Sequence, residues 1–130
     1  MFRRQFIRTV LALIGAAPAT AKAVSASQPE ILLQHSPVAG FQYHEGETVW
    51  AALAEGHALE LVREPGNAFD DRAVRIEWHG RKLGYLPREE NCAVAQLLDR
   101  GESPRAQIAK LTAGVSSWER VRIEVFLSRA

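Results

Sequence analysis

The 130-residue sequence predicts a mainly β protein with one main helix: a small antiparallel barrel or sandwich of five to six strands, with the helix across one opening. Three observations carry this expectation. Short runs of period-two alternation recur through the C-terminal ~90 residues, separated by turn residues. Only one segment, Arg88 to Arg100, has a convincing helical stripe. Strands and helices do not alternate, which argues against a doubly wound parallel sheet.

Residues 1–23 are set aside from the fold. A basic start, Met1 to Arg8, precedes an apolar run from Val10 to Ala17, and small residues end in Ala21-Lys22-Ala23. This is the pattern of an export signal, with cleavage expected after Ala23 and Ala21 as the second choice. Arg3-Arg4-Gln5-Phe6-Ile7-Arg8 resembles a twin-arginine signal, which implies export to the periplasm; the alternative is a cytoplasmic protein with an amphipathic N-terminus. The apolar run is far shorter than the roughly 20 residues needed to cross a bilayer. Residues 24–36, rich in Ser, Ala and Gln, read as a tether, although Ile31-Leu32-Leu33 could pack on the domain edge as a short strand. The domain is expected over 37–130.

The signal segment holds Arg3, Arg4, Arg8 and Lys22 and no acid. Of 16 basic and 15 acidic residues, 12 and 15 remain beyond it, a net charge of −3. A domain that held nucleic acid mainly by neutralising phosphates would be basic, so any such binding must come from a local site. Cys92 is the single cysteine. It excludes an internal disulfide and a Cys-rich zinc site, and its place in a helix favours a buried apolar role. His35, His44, His57 and His79 lack the close pairing of a metal-binding helix, and neither a metal nor another cofactor is expected.

Val38 to His44 alternates as the first strand, with Phe41 and Tyr43 on one face. Val49 to Leu53 is helix-like and stops at Gly56. His57 to Glu64 is a strand, with Leu59 and Leu61 on one face. Pro65-Gly66-Asn67 is turn material, and Asp70-Asp71 extends it by accepting backbone N–H groups. Arg72 to Trp78 alternates with Val74, Ile76 and Trp78 facing one way. His79-Gly80 is a tight turn, and Arg81 to Leu86 returns as the second strand of a hairpin. Gly84 within that strand marks a bulge or a close backbone approach. In the helix after Pro87, Glu89 and Glu90 suit the positive end of the dipole. Ala93, Val94, Leu97 and Leu98 form the apolar stripe, and Gly101 is the stop. Arg105 to Leu111 and Glu119 to Leu127 are the closing strands, the latter with Val121, Ile123, Val125 and Leu127 inward.

The sequence lacks a Walker-type loop, a G-x-S-x-G elbow and an H-E-x-x-H motif, and the expectation is a binding module rather than an enzyme. Adjacent Asp70 and Asp71 point to opposite sides of an extended chain, which favours turn bracing over acid–base work. Tyr43, Phe69, Tyr85 and Trp118 fall near strand ends or loops, with Arg63, Arg75, Arg81, Lys82, Arg88 and Arg120 around them. Exposed aromatics flanked by Arg can stack nucleic-acid bases at roughly 1–3 kcal/mol per base. Spacing alone favours the plainer reading, in which Phe69 and Tyr85 are core and Trp118 caps the barrel.

Arg63-Glu64-Pro65-Gly66-Asn67-Ala68-Phe69-Asp70, then Ala73-Val74, then Gly84-Tyr85-Leu86-Pro87 resembles a HIRAN domain, whose pattern runs R-E-P-x-N-P-Y-D, A-[IV], G-[YH]-[LV]-P, helix. Gly40-Phe41-Gln42-Tyr43 and Leu97-Leu98-Asp99-Arg100-Gly101 also fit, so the resemblance spans about residues 37 to 128. That family occurs in eukaryotic DNA-repair translocases and as standalone bacterial proteins. The resemblance implies an OB-like barrel that grips the 3′-hydroxyl end of single-stranded DNA. Carried over, Tyr43 and Phe69 would stack on terminal bases and Asp70 would accept a hydrogen bond from the 3′-OH. Asn67 would brace the loop, Tyr85 would line the pocket, Arg88 would meet a phosphate and Trp118 would wedge against bases. Phe69 stands where the family often has Tyr, Ala68 replaces Pro, and Gln42-Tyr43-His44 replaces a more basic and aromatic trio. The ATPase and zinc-binding RING modules of the eukaryotic relatives have no counterpart in these residues, so hydrolase activity is not expected. The export signal favours a second partner class, a ligand or protein of the cell envelope using the same pocket.

Overall fold

The computed structural model describes residues 29–116 and 119–128. Glu30–Ser128 forms one unit, built on a six-stranded antiparallel sheet. The strands are β1 (Glu30–Pro37), β2 (Ala58–Arg63), β3 (Val74–Trp78), β4 (Arg81–Tyr85), β5 (Arg105–Leu111) and β6 (Val121–Ser128). Their order across the sheet is β1-β6-β5-β2-β3-β4. No strand ladder joins β1 to β4, but the chain just beyond β1 does so through an isolated bridge: Ala39 N–H donates to the Tyr85 carbonyl at 2.8 Å, and Tyr85 N–H returns a bond to Ala39 at 3.0 Å. The sheet therefore curls into a partly open barrel, helped by register shifts in the β1–β6, β3–β4 and β5–β6 ladders, since bulges increase local twist.

Alternation decides what lies inside. Val74 and Ile76 of β3, Ala106 and Ile108 of β5, and Val121, Ile123 and Val125 of β6 are buried together with Leu83, Leu86, Val38 and Phe41. Each fully buried aliphatic or aromatic side chain contributes roughly 1.5–3 kcal/mol. Trp78 of β3 and Leu127 of β6, expected inward, are only partly buried at their strand ends. The β3–β4 hairpin turns at His79-Gly80, both with positive φ (49° and 76°), as a two-residue turn of the expected kind requires. An ideal Cβ on Gly84 would lie 2.4 Å from the Ala39 carbonyl oxygen, so the glycine is the condition for the bridge that curls the sheet.

Two expectations about the start of the domain are corrected. Glu30–Pro37 is a strand, not tether; it pairs with β6 from Glu30↔Ser128 to Pro37↔Arg122. It lacks core-facing alternation because it is an edge strand: Ile31 and Leu32 are adjacent and both exposed. Val38 to His44 is not a strand: Phe41–Tyr43 is a 3-10 turn. Phe41 is buried and meets Trp50 edge-on at 6.0 Å, while Tyr43 is 78% exposed. A pleat would put the two aromatics on one face; the turn sends them apart. The expected signal segment, its cleavage after Ala23 and tether residues 24–28 lie outside the described residues.

The helices are short. Helix α1 (Gly46–Val49) runs into a 3-10 turn at Trp50–Ala52. The helix expected over Arg88 to Arg100 is divided into a 3-10 turn, Arg88–Glu90, and helix α2, Cys92–Asp99. Asn91 separates them and is fully buried. This break rotates the stripe: Val94 and Ala95 are buried while Ala93 and Cys92 are exposed, which corrects the buried role expected for the thiol. Gly101 (φ 86°) closes α2. Its N–H bonds to the Leu98 carbonyl and that of Glu102 to Leu97, a Schellman ending.

Candidate nucleic-acid interface

Between β2 and β3 the chain makes an eleven-step excursion from Arg63 to Val74, and its base is pinned from two sides. Arg63 places Nε and Nη2 on the Asp99 carboxylate at 2.9 and 3.3 Å, and Nη1 on the Ala73 carbonyl at 3.2 Å. This fork fastens β2 to the end of α2, a fixed geometry that suits guanidinium better than ammonium.

Within the loop Asn67 does the folding. Its Oδ1 accepts the N–H groups of Phe69 (2.8 Å) and Asp70 (3.1 Å), the Asx arrangement by which a short amide replaces a backbone turn. Its Nδ2 donates to Glu64 Oε1 at 3.0 Å, and Tyr85 Oη donates to the same oxygen at 2.8 Å. Arg75 binds the other Glu64 oxygen at 2.5 Å and Glu77 Oε2 at 2.6 Å. Burial pushes the Glu64 carboxyl up, but the bonds from Asn67, Tyr85 and Arg75 together outweigh it and hold Glu64 below its usual value. Glu64 is thus a charged clamp linking the loop to β3 and β4.

Asp70 is braced as expected of a turn acid and also reaches the helix. Oδ1 accepts the Arg72 N–H at 3.0 Å, and Oδ2 accepts from Asn91 Nδ2 at 2.8 Å. A carboxylate offers about four acceptor positions, so the two bonds leave capacity for a further donor.

These constraints shape a cleft of about 260 Å³, lined by Ala39, Asn67, Phe69, Asp70, Ala73, Tyr85, Leu86 and Arg88. Five of the seven residues named from the sequence, Asn67, Phe69, Asp70, Tyr85 and Arg88, therefore meet at one place. Phe69 is 85% exposed, which overturns the reading of it as core. The Arg88 side chain is exposed and makes no ion pair or hydrogen bond among the described residues. Tyr43 does not line the cleft, but it is exposed beside His44, whose ring meets the Tyr85 ring edge-on at 5.8 Å. Lys82 Nζ lies 4.6 Å from the centroid of that same ring. Burial first, then the Lys82 charge, lowers the His44 pKa from its usual value, with Glu64 opposing. Trp118 lies outside the described residues.

Sequence reasoning missed Glu64 as the clamp, Asn91 as the support of Asp70, and Ala39, Ala73 and Leu86 as walls. Glu64 stood inside the recognised motif without an assigned role. Asn91 is a residue type favoured at helix starts, and it was hidden by reading the helix as continuous from Arg88. Among the described residues no group of three or more His, Cys, Asp or Glu side chains could hold a metal ion, and no helix is long and apolar enough to cross a membrane.

A curled antiparallel sheet that presents an aromatic and a carboxylate on one braced loop defines a small β-barrel binding domain. The family model described as HIRAN domain matches residues 31–129, and the chain belongs to that OB-like family, whose members bind DNA. Among solved structures, a protein from Lactobacillus plantarum is 26% identical, with a TM-score of 0.65, covering 76% of this chain and 97% of that one. The HIRAN domain of human HLTF is 17% identical with a TM-score of 0.58, covering 79% of this chain and 84% of that one, a likeness of fold. A Fanconi-associated nuclease 1 homolog from Oryza sativa subsp. japonica is 39% identical over 67 residues, which are 48% of this chain and 6% of that protein. The chain thus spans a small part of that relative's length.

Proposed function

We propose that this chain is a non-catalytic module that binds the 3′ end of single-stranded DNA in the cleft beside the Asn67–Asp70 loop. The observation that carries the reading is Phe69. It is a large apolar ring left 85% exposed, yet its backbone N–H is fixed by Asn67. A held, exposed aromatic beside a cleft is what base stacking uses. Tyr43 offers a second exposed ring, Arg88 a cation for a phosphate, and Asp70 a braced acceptor for the terminal hydroxyl. Tyr85 forms the wall. Fluorescence anisotropy with short labelled strands tests this. Saturable binding weakened by Phe69→Ala supports it, and absence of binding at low salt contradicts it.

A second reading has its own observation, the basic–apolar–A-x-A pattern of residues 1–23 and the net charge of −3 beyond it. On that reading the protein is exported, and the cleft takes a cell-envelope ligand or protein. Fractionation of a tagged protein separates the two: a cleaved periplasmic product favours the second, an uncleaved cytoplasmic one the first.

A further inference from the structure

The β3–β4 register places an unassigned cation beside the cleft. Lys82 and Tyr85 are three residues apart, an odd spacing that would send their side chains to opposite faces of a regular strand. In this hairpin Lys82 pairs with Glu77, Gly84 with Ile76 and Tyr85 with Arg75. Leu83 is therefore the extra residue of a bulge, and it is fully buried. The bulge resets the alternation, so Lys82, Tyr85, Arg75 and Glu77 share the outer face while Leu83 enters the core. Re-aiming a side chain is a known use of a bulge.

The consequence is a cluster around the Tyr85 ring. Lys82 Nζ is 4.6 Å from its centroid, and the His44 ring approaches it at 5.8 Å, inclined by 68°. The nearby carboxylates are engaged elsewhere: Glu77 with Arg75, and Glu64 with Arg75, Asn67 and Tyr85. Lys82 makes no ion pair or side-chain hydrogen bond among the described residues. Tyr85 also lines the cleft, where Arg88 is the cation among the lining residues.

We propose that Lys82 and His44 form a second anion subsite, which takes a phosphodiester of the strand whose end occupies the cleft, beyond the Arg88 contact. This rests on the single-stranded DNA reading above. A chain leaving the cleft past Tyr85 meets Lys82 first, and His44 joins when protonated. The groups facing His44 are Lys82 and Tyr85 from β4 and Glu64 from the end of β2. Glu45 is adjacent in sequence and is engaged by Arg81. Burial first, and then Lys82, disfavour the imidazolium in the free protein, and a bound phosphate opposes both. The complex then binds more protons than the free protein, so affinity rises as pH falls through the His44 titration.

The test is anisotropy of a short 3′-hydroxyl strand against the full chain over a salt series, for wild type, Lys82→Gln and, as a control on β5, Lys110→Gln. The expected result is a salt slope smaller by about 0.7 for Lys82→Gln, the share of one single-strand phosphate contact, with Lys110→Gln unchanged. NMR titration of the His44 ring should show its pKa raised by the saturating strand. If wild type binds and Lys82→Gln keeps the full slope, the subsite is overturned and end binding stands. If wild type binds no strand, the DNA reading fails and inorganic phosphate becomes the probe. Phosphate-induced shifts at His44 that vanish in Lys82→Gln then support the anion subsite, and their absence overturns it.

Discussion

Asn91 Nδ2 donates to Asp70 Oδ2 across 2.8 Å, joining a fully buried amide at the start of α2 to the carboxylate of the cleft loop. The same amide leaves its Oδ1 buried without a partner. Burying an unpartnered acceptor costs roughly 1–3 kcal/mol, and a hydrogen bond to a charged group contributes about 1.5–3 kcal/mol. Asn91→Leu removes both. The expected change in stability is therefore small, within about 1 kcal/mol in urea unfolding, while Asp70 loses its anchor and affinity for a 3′-hydroxyl strand falls. A variant that keeps full affinity would show that Asp70 needs no support from the helix.

Phe69 separates folding from binding. Its ring is exposed, so Phe69→Ala should leave stability within about 0.5 kcal/mol of wild type. The same change should remove one base stack, roughly 1–3 kcal/mol of binding free energy. Paired thermal unfolding and anisotropy measurements check both halves. A large loss of stability with unchanged affinity would return the residue to a structural role.

Gly84→Ala attacks the curl of the sheet. The added Cβ would meet the Ala39 carbonyl oxygen at 2.4 Å and Val38 Cγ1 at 2.7 Å, so the Ala39–Tyr85 bridge must open. Overpacking of this kind costs about 1–3 kcal/mol. Urea denaturation should report that loss, and hydrogen exchange should show faster exchange at the Ala39 and Tyr85 amides. Unchanged protection at both would contradict the account of the bridge.

Glu64 makes the loop acid-sensitive. Its folded pKa lies below the ordinary value of 4.5, so the unfolded chain takes up the proton first as pH falls. The stabilisation is complete above the unfolded value and is lost as pH drops through the folded one. Acid titration should loosen the Asn67–Asp70 amides only once pH has fallen below the ordinary value of 4.5, and Glu64→Gln should flatten that part of the profile. Identical acid profiles for the two proteins would exclude Glu64 as the clamp.

Much of this architecture was legible because backbone requirements leave marks on sequence. The His79-Gly80 turn, the Gly84 approach and the Gly101 helix end each need a particular residue, and β3, β5 and β6 alternate. β1 was legible only at Ile31-Leu32-Leu33, because its second half is polar and Gln34 and Ser36 face partners on the 3-10 turn after Pro87: Gln34 Nε2 donates to the Glu90 carbonyl and Ser36 Oγ to Glu90 Oε1. Phe41 and Tyr43 imitated one face of a strand by their spacing of two, but a 3-10 turn buries the first and exposes the second. The family motif drew attention to Asn67, Phe69 and Asp70, but the exposure of Phe69 depends on a loop held by tertiary bonds from Glu64 and Tyr85. The link from Asp70 to Asn91 crosses 21 residues, and no local pattern announces it.

The central claim is that this cleft recognises a strand end through Asp70. It is tested most directly by anisotropy with matched short strands ending in 3′-OH or 3′-phosphate, on wild type and Asp70→Ala. Wild type should prefer the 3′-OH strand by roughly tenfold or more, the equivalent of one charge-assisted hydrogen bond of about 1.5–3 kcal/mol, and Asp70→Ala should erase that preference. Equal binding of both strands by wild type, with Asp70→Ala silent, would contradict it.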